Sequence, residues 1–194
     1  TDLNLLKRIL VEERIEHVFH LAAQVEIGKA IEYPYLTWES NIRGTYTLLE
    51  AVREIKNDIQ SIIIASSDKA YGAYPIDQLP YRESYPLIPD YPYDISKACG
   101  DLIAQSYCKN NVNLPIIITR FANIYGPGQL NFSALIPDCI RSALGVSKFI
   151  PRTNGNHFRD FLYIDDVVNL YIILAQELTK KESLKGEIFN AGSN

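Results

Sequence analysis

The stretch Ser61-Ile-Ile-Ile-Ala-Ser-Ser-Asp-Lys-Ala-Tyr-Gly72 decides how this chain folds. An unbroken apolar run stops abruptly at polar residues. A strand buried on both faces reads this way, as in a parallel sheet covered by helices. In open α/β sheets ligands sit beyond the carboxyl ends of the strands. Ser66, Ser67, Asp68 and Lys69 therefore stand where chemistry is expected. Downstream, Tyr93-Asp-Ile-Ser-Lys97 puts a phenol and an ammonium one helical turn apart. A lysine beside a tyrosine and a cationic ring favours the phenolate, which takes up a proton near neutral pH.

Outward from that stretch, strands alternate with helices. Asp2 caps a helix reaching about Arg14, and Ile15 to Ala23 reads as a short buried strand. Residues 35–56 read as one long helix, with Leu36, Ile42, Leu48, Leu49 and Val52 at helical spacing. Gly44 inside it, about 1 kcal/mol worse than alanine, points to close helix packing. A proline- and tyrosine-rich segment over 73–92 is too long for a plain connection and reads as a functional loop. A helix over 92–110, a buried strand over 114–120 and a break at Gly126-Pro-Gly128 follow. Then come a helix over 135–144, an extended piece over 158–163, a helix from Ile164 to about Leu178 with Asp165 as its N-cap, and a closing strand over 187–190. The fold class is α/β, a Rossmann-like doubly wound parallel sheet.

The chain has 194 residues, 47% hydrophobic and 22% charged, with a formal net charge of −4. That length buries a sizeable core. The charge, with no basic run, argues against nucleic acid, and no apolar stretch is long enough to span a bilayer. Three cysteines without metal-ligand spacing predict neither a metal site nor a disulfide framework, which fits a reducing cytoplasm. No methionine occurs, and no G-x-G-x-x-G occurs either.

Four motifs in order resemble the extended short-chain dehydrogenase/reductases, the NAD-dependent epimerase/dehydratase family that acts on nucleotide sugars. They are the serine-bearing strand end with Tyr93-x-x-x-Lys97, the run Glu39-Ser-Asn-Ile-Arg-Gly-Thr-Tyr-Thr-Leu-Leu-Glu50, Arg120-Phe-Ala-Asn-Ile-Tyr-Gly-Pro-Gly128, and Arg159-Asp-Phe-Leu-Tyr-Ile-Asp-Asp-Val167. The resemblance implies that residues 1–125 are the remainder of an NAD-binding domain. Residues 126–194 are then part of a small substrate-binding region whose last strand returns to the main sheet. It implies a fragment, with the glycine-rich turn and the first strands upstream, on the order of 60 residues. It also implies a homodimer through the helices over 35–56 and 92–110.

Carried over residue by residue, the resemblance places Leu21, Ala22, Ala23, Asn41, Ser66, Tyr93, Lys97, Phe121 and Ala122 at NAD, with NADP not excluded. Asn123 and Arg159 would hold the diphosphate of a nucleotide-diphosphate sugar, since a guanidinium reads phosphate oxygens in pairs. Asp165 keeps a structural role. His20 reads as a packed, hydrogen-bonded residue, and His157 carries no catalytic role.

Ser67-Asp68-Lys69 discriminates within the family. A 4-epimerase needs only the serine and the Tyr93/Lys97 pair. A 4,6-dehydratase must also remove the C5 proton and expel the C6 hydroxyl, which calls for an adjacent base and acid. Ser-Asp-Lys is similar to the triplet of CDP-glucose 4,6-dehydratases. The following Ala70-Tyr71-Gly72 instead looks like the ending found in epimerases and dTDP-glucose dehydratases. The expected catalytic set is Ser67, Asp68, Lys69, Tyr93 and Lys97 in a 4,6-dehydratase. The alternatives are a 4-epimerase or decarboxylase, in which Asp68 and Lys69 merely pair with each other, and an inactive fragment or interaction module.

Overall fold

A computed structural model describes residues 1–55, 59–109, 112–151, 153–156 and 158–193. His157 and the expected helix ends at 56 and 110 lie outside the described residues. Four strands, β1 (His17–His20), β2 (Ser61–Ala65), β3 (Ile116–Phe121) and β6 (Ile188–Ala191), form one parallel sheet in the order β1-β2-β3-β6. β4 (Asn123–Tyr125) and β5 (Phe161–Tyr163) pair in parallel as a second, two-stranded sheet.

The sheet is covered on both sides, as the isoleucine runs require. Ile62, Ile64, Ile116 and Ile118 point to one face, where they pack with Leu10 of α1 (Leu3–Glu12), Leu49 and Val52 of α4 (Gly44–Ile55) and Ala104 of α5 (Pro92–Cys108). Ile63, Ile117 and Phe121 point to the other, against Val167, Tyr171, Leu174 and Leu178 of α7 (Ile164–Lys180). The period of two along each strand sorts the side chains between these cores. α1 begins where expected, the Asp2 carboxylate accepting from the Leu5 N–H at 3.0 Å.

Several expectations are corrected. β1 is only four residues long and half-exposed, with Phe19 at 41%, because it lies at the edge of the described sheet. The single helix over 35–56 is three pieces: α3 (Pro34–Trp38), a π turn over Glu39–Arg43, and α4. A short helix precedes them, α2 (Ile27–Glu32). Gly44 is not the close packing point, since a Cβ there would meet nothing nearer than Thr1 at 4.0 Å. Gly100 is, since its Cβ would lie 3.4 Å from the Thr45 hydroxyl. Asp165 is not the cap of α7. Tyr163 holds that position, and Asp165 and Asp166 sit in the first turn, where the helix dipole favours acids. α6 (Leu135–Ala143) forms as expected.

The segment 73–91 holds little regular structure and packs on itself through tyrosines. Tyr71 stacks on Tyr81 with centroids 4.7 Å apart, and Tyr74 on Tyr85 at 5.1 Å. The Tyr81 hydroxyl donates to the Gly72 carbonyl at 2.8 Å. The Glu83 carboxylate accepts from the Asn190 N–H at 2.9 Å, tying the loop to the end of β6.

Candidate active site

Because all four strands run the same way, His20, Ala65, Phe121 and Ala191 end along one rim. A cleft of about 640 Å³ opens there, a size ordinary for a small-molecule site. Its walls carry Leu21, Ala23, Ser66, Ser67, Asp68, Lys69, Tyr93, Lys97, Phe121, Ala122, Asn123 and Arg159. Ala22 and Asn41 instead line a small adjoining cavity with His20, Thr45 and Ser96.

Ser67, Asp68 and Lys69 are set by a 3-10 turn over Asp68–Tyr71 that Ser67 caps. The Ser67 hydroxyl accepts from the Lys69 N–H at 3.2 Å and donates to Asp68 Oδ1 at 3.0 Å. Lys69 Nζ lies 3.0 Å from Asp68 Oδ2, with the two side chains 30% and 19% exposed. This is a half-buried acid–base pair facing the cleft.

Tyr93 and Lys97 come from the first turns of α5, which Pro92 starts at a position that needs no N–H. Lys97 Nζ donates to the Ala65 carbonyl at 2.5 Å, so the lysine is anchored to the end of β2. Burial lowers its pKa to about 8, opposed by the Asp101 carboxylate. Burial pushes the Tyr93 phenol up to about 12, with Asp68 and Asp94 pushing the same way and the Ser67 hydroxyl pulling it down. The sequence expectation was a phenol acidified by Lys97. In the protein by itself burial dominates, and the Ser67 hydroxyl is the group that favours the phenolate.

Asn41 occupies the π turn, a feature that often marks functional positions. Its amide donates to the Gln24 carbonyl and to Ser96 Oγ, both at 2.9 Å, and its oxygen accepts from the Gln24 N–H at 2.7 Å. It braces the loop after β1 against α5. His20 Nε2 lies 2.9 Å from Thr45 Oγ1, whose single proton goes to the Asn41 carbonyl at 2.7 Å. His20 must therefore donate through Nε2. Burial, then the charge of Lys97, lowers its pKa to about 4.

The two residues expected at a diphosphate differ in their freedom. Asn123 donates its amide to the Asp160 carbonyl at 3.0 Å and so shapes its own loop. Arg159 donates to the Phe158 carbonyl at 2.9 Å and forms no ion pair among the described residues. Asp160 is not its partner, because that carboxylate accepts from the Ser193 N–H at 2.8 Å.

The residues suit a flat dinucleotide. Ala22, Ala23, Ala65 and Ala122 keep the rim low, and the buried Ser66 hydroxyl has no hydrogen-bond partner among the described residues. An orphaned hydroxyl facing a cleft is ready for a ligand. Sequence reasoning missed Tyr171, which stacks on Phe121 with centroids 5.1 Å apart and lines the cleft. The spacing Val167, Tyr171, Leu174, Leu178 on α7 carried that signal. It also missed Asp101, which Arg120 grips at 2.7 and 3.0 Å.

The NAD dependent epimerase/dehydratase family matches residues 1–192. The dTDP-D-glucose 4,6-dehydratase of Dictyostelium discoideum is 35% identical over 202 residues, covering 100% of this chain and 44% of that protein. Among solved structures, the dTDP-glucose 4,6-dehydratase DesIV of Streptomyces venezuelae, determined with NAD bound, superposes with a TM-score of 0.83 at 30% identity, covering 97% of this chain and 55% of that one. The UDP-glucose 4-epimerase of Thermotoga maritima, with UDP-glucose, gives 0.86 at 28% identity, covering 99% and 60%. The chain thus spans about half the length of the relatives it matches.

Proposed function

The chain belongs to the NAD dependent epimerase/dehydratase family, and on that premise we propose that its protein is an NAD-dependent nucleotide-sugar 4,6-dehydratase. The observation that carries this reading is the Asp68–Lys69 pair, 3.0 Å apart and half-buried at the cleft wall beside Ser67 and Tyr93. An epimerase has no use for such a pair. The named dehydratases among the relatives and solved structures support the same choice.

Ala22, Ala23, Ala65 and Ala122 leave room for NAD, which when bound would supply reversible hydride acceptance. Tyr93, helped by Ser67, takes the proton from the sugar O4. Lys97 holds the cofactor ribose and keeps positive charge near the phenol. With C4 oxidised, the C5 proton is acidic. Lys69 as the free amine removes it. The electron pair left on C5 forms the C5–C6 double bond as the C6–O bond breaks, and Asp68 as the carboxylic acid gives its proton to the departing oxygen, which leaves as water. Lys69 and Asp68 end as ammonium and carboxylate. The Lys69 ammonium then gives a proton back to C5 as hydride returns to C6, which completes the 4-keto-6-deoxy sugar, and the O4 proton held by Tyr93 passes on to Asp68, so that all three groups are reset.

Arg159, without an ion-pair partner among the described residues, serves as the diphosphate clamp, and Asn123 lines the same wall. The division into an NAD-binding part over 1–125 and a substrate-facing part over 126–194 belongs to this reading. So do a homodimer, supported by exposed Leu36, Tyr46 and Leu102 on the helices concerned, and a cytoplasmic role in making cell-surface polysaccharide. No described helix is long and apolar enough to cross a membrane. A 4-epimerase is the second reading, favoured by the fit to the Thermotoga maritima enzyme. The test is to supply NAD and a panel of nucleotide hexoses and assay for a 4-keto-6-deoxy sugar, which the dehydratase makes and the epimerase does not.

A further inference from the structure

The turn that carries Asp68 and Lys69 is anchored at a point the motifs did not reveal. Ser67 caps its start, and its last residue is Tyr71, which is fully buried. Among the described residues, the side chains of Asp68 and Lys69 bond only within the triplet, Ser67 Oγ to Asp68 Oδ1 and Lys69 Nζ to Asp68 Oδ2. Their place on the cleft wall is therefore set by the backbone of a four-residue 3-10 turn, a form whose own hydrogen bonds are poor. Tyr71 supplies the missing support. Its hydroxyl donates at 2.8 Å to Asn190 Oδ1 in β6, 119 positions along the chain. Asn190 also donates from Nδ2 to the Tyr81 carbonyl at 3.1 Å and from its backbone N–H to the Glu83 carboxylate. Tyr81 closes the ring, stacked on Tyr71 and donating to the Gly72 carbonyl at 2.8 Å. Gly72 leaves the turn at φ 78°, where a Cβ would strike the Ile88 carbonyl, so the exit path suits glycine alone.

We propose that Asn190 is a positioning residue for the Asp68–Lys69 pair: through the Tyr71 hydroxyl it fixes the turn, so that acid and base stand together at the cleft wall. Its use in water elimination rests on the dehydratase reading. Tyr93 and Lys97 have a different support. They stand on α5, and Lys97 is anchored to the Ala65 carbonyl. The oxidation at C4 and the elimination across C5–C6 thus depend on separate parts of the scaffold. Loosening the Tyr71–Asn190 bond should disturb the second and spare the first.

The experiment uses the protein at the full length its gene encodes, with Asn190→Leu, which removes the acceptor, and Tyr71→Phe, which removes only the hydroxyl and keeps the stacked ring. The first readout is acetylation of lysines by acetic anhydride, followed by mass spectrometry. Lys69, freed from its partner, should label several-fold faster relative to Lys97 in the same molecule. A general loss of stability would speed both lysines alike. Asn190→Asp keeps an acceptor for Tyr71 and should return Lys69 to the parent rate. The second readout is a single turnover with NAD and the nucleotide hexose that the parent converts. Elimination should slow by about ten- to a hundredfold, as a small misplacement of reacting groups demands. Oxidation at C4 should continue, so the absorbance of reduced nicotinamide should build up. An unchanged Lys69 rate in folded Tyr71→Phe, equal speeding of Lys69 and Lys97, or equal slowing of oxidation and elimination overturns the proposal. Should Asn190→Leu not fold, Tyr71→Phe decides alone. Selective labelling of Lys69 in a protein whose parent eliminates no water upholds the role of Asn190 and rejects only the dehydratase reading.

Discussion

Arg120 holds Asp101 with two hydrogen bonds, Nε to Oδ2 at 2.7 Å and Nη2 to Oδ1 at 3.0 Å, and the paired side chains are 2% and 0% exposed. Asp101 also accepts from Gln105 at 2.7 Å. The guanidinium lies over the Tyr71 ring at 4.7 Å and donates to the Glu83 carbonyl at 3.2 Å. One buried pair thus joins α5, β3 and the tyrosine-packed loop. Removing one partner strands a buried charge, so Asp101→Ala should cost about 3–5 kcal/mol in denaturant unfolding. Replacing both together, Asp101→Leu with Arg120→Met, should recover most of that loss.

His20 makes stability depend on pH. Its folded pKa is near 4, below the ordinary 6.5, so the unfolded chain binds the extra proton first. Stability is full above about pH 6.5 and falls as pH drops toward 4, by about 3 kcal/mol at most. His20→Gln keeps a donor for Thr45 without the titration. Its melting temperature should change less between pH 7 and 4 than that of the parent, and equal slopes would rule out His20 as the source.

Ser66 should trade stability against cofactor binding. Its buried hydroxyl has no partner among the described residues, which carries a desolvation cost of about 1–3 kcal/mol. Ser66→Ala should melt at the same temperature or higher, while binding NAD several-fold more weakly by calorimetry. Unchanged NAD affinity would remove Ser66 from the cofactor site.

Lys97 carries a similar conflict. Burial depresses its pKa to about 8 from 10.5, so at neutral pH it stays charged at a cost in stability that lessens only as pH rises from 8 toward 10.5. Lys97→Met should be at least as stable as the parent at pH 7 in thermal melts, and should lose turnover.

Much of this arrangement was legible in the sequence where one physical signal dominated. The isoleucine runs at 62–64 and 116–118 could be satisfied only by a sheet covered on both faces, and Pro92 marked the start of α5. The polar strand end at Ser66–Lys69 and the Tyr93/Lys97 spacing then brought the cleft wall together. The rest depended on tertiary partners. α2 is six residues with one buried side chain, too short for a periodic pattern. The π turn at Glu39–Arg43 is invisible to helical spacing, because its neighbours keep the helical period while the turn brings Asn41 between Gln24 and Ser96. The burial of Asp101 and Asp94 could not be read, since a carboxylate on a helix looks solvated until its neighbours are known. The burial of Tyr93 could not be read either, because spacing gives the nearness of Lys97 but not the depth at which the phenol sits.

The most direct test of the central claim is water elimination by the protein at the full length its gene encodes, incubated with NAD and CDP-, dTDP-, UDP- and GDP-hexoses and read by the alkali-induced absorbance of a 4-keto-6-deoxy sugar. One of these substrates should give that product. Asp68→Asn and Lys69→Ala should abolish it while leaving oxidation at C4 intact. Interconversion of C4 epimers without loss of water, unaffected by either substitution, would contradict the account and leave the Asp68–Lys69 pair a bystander.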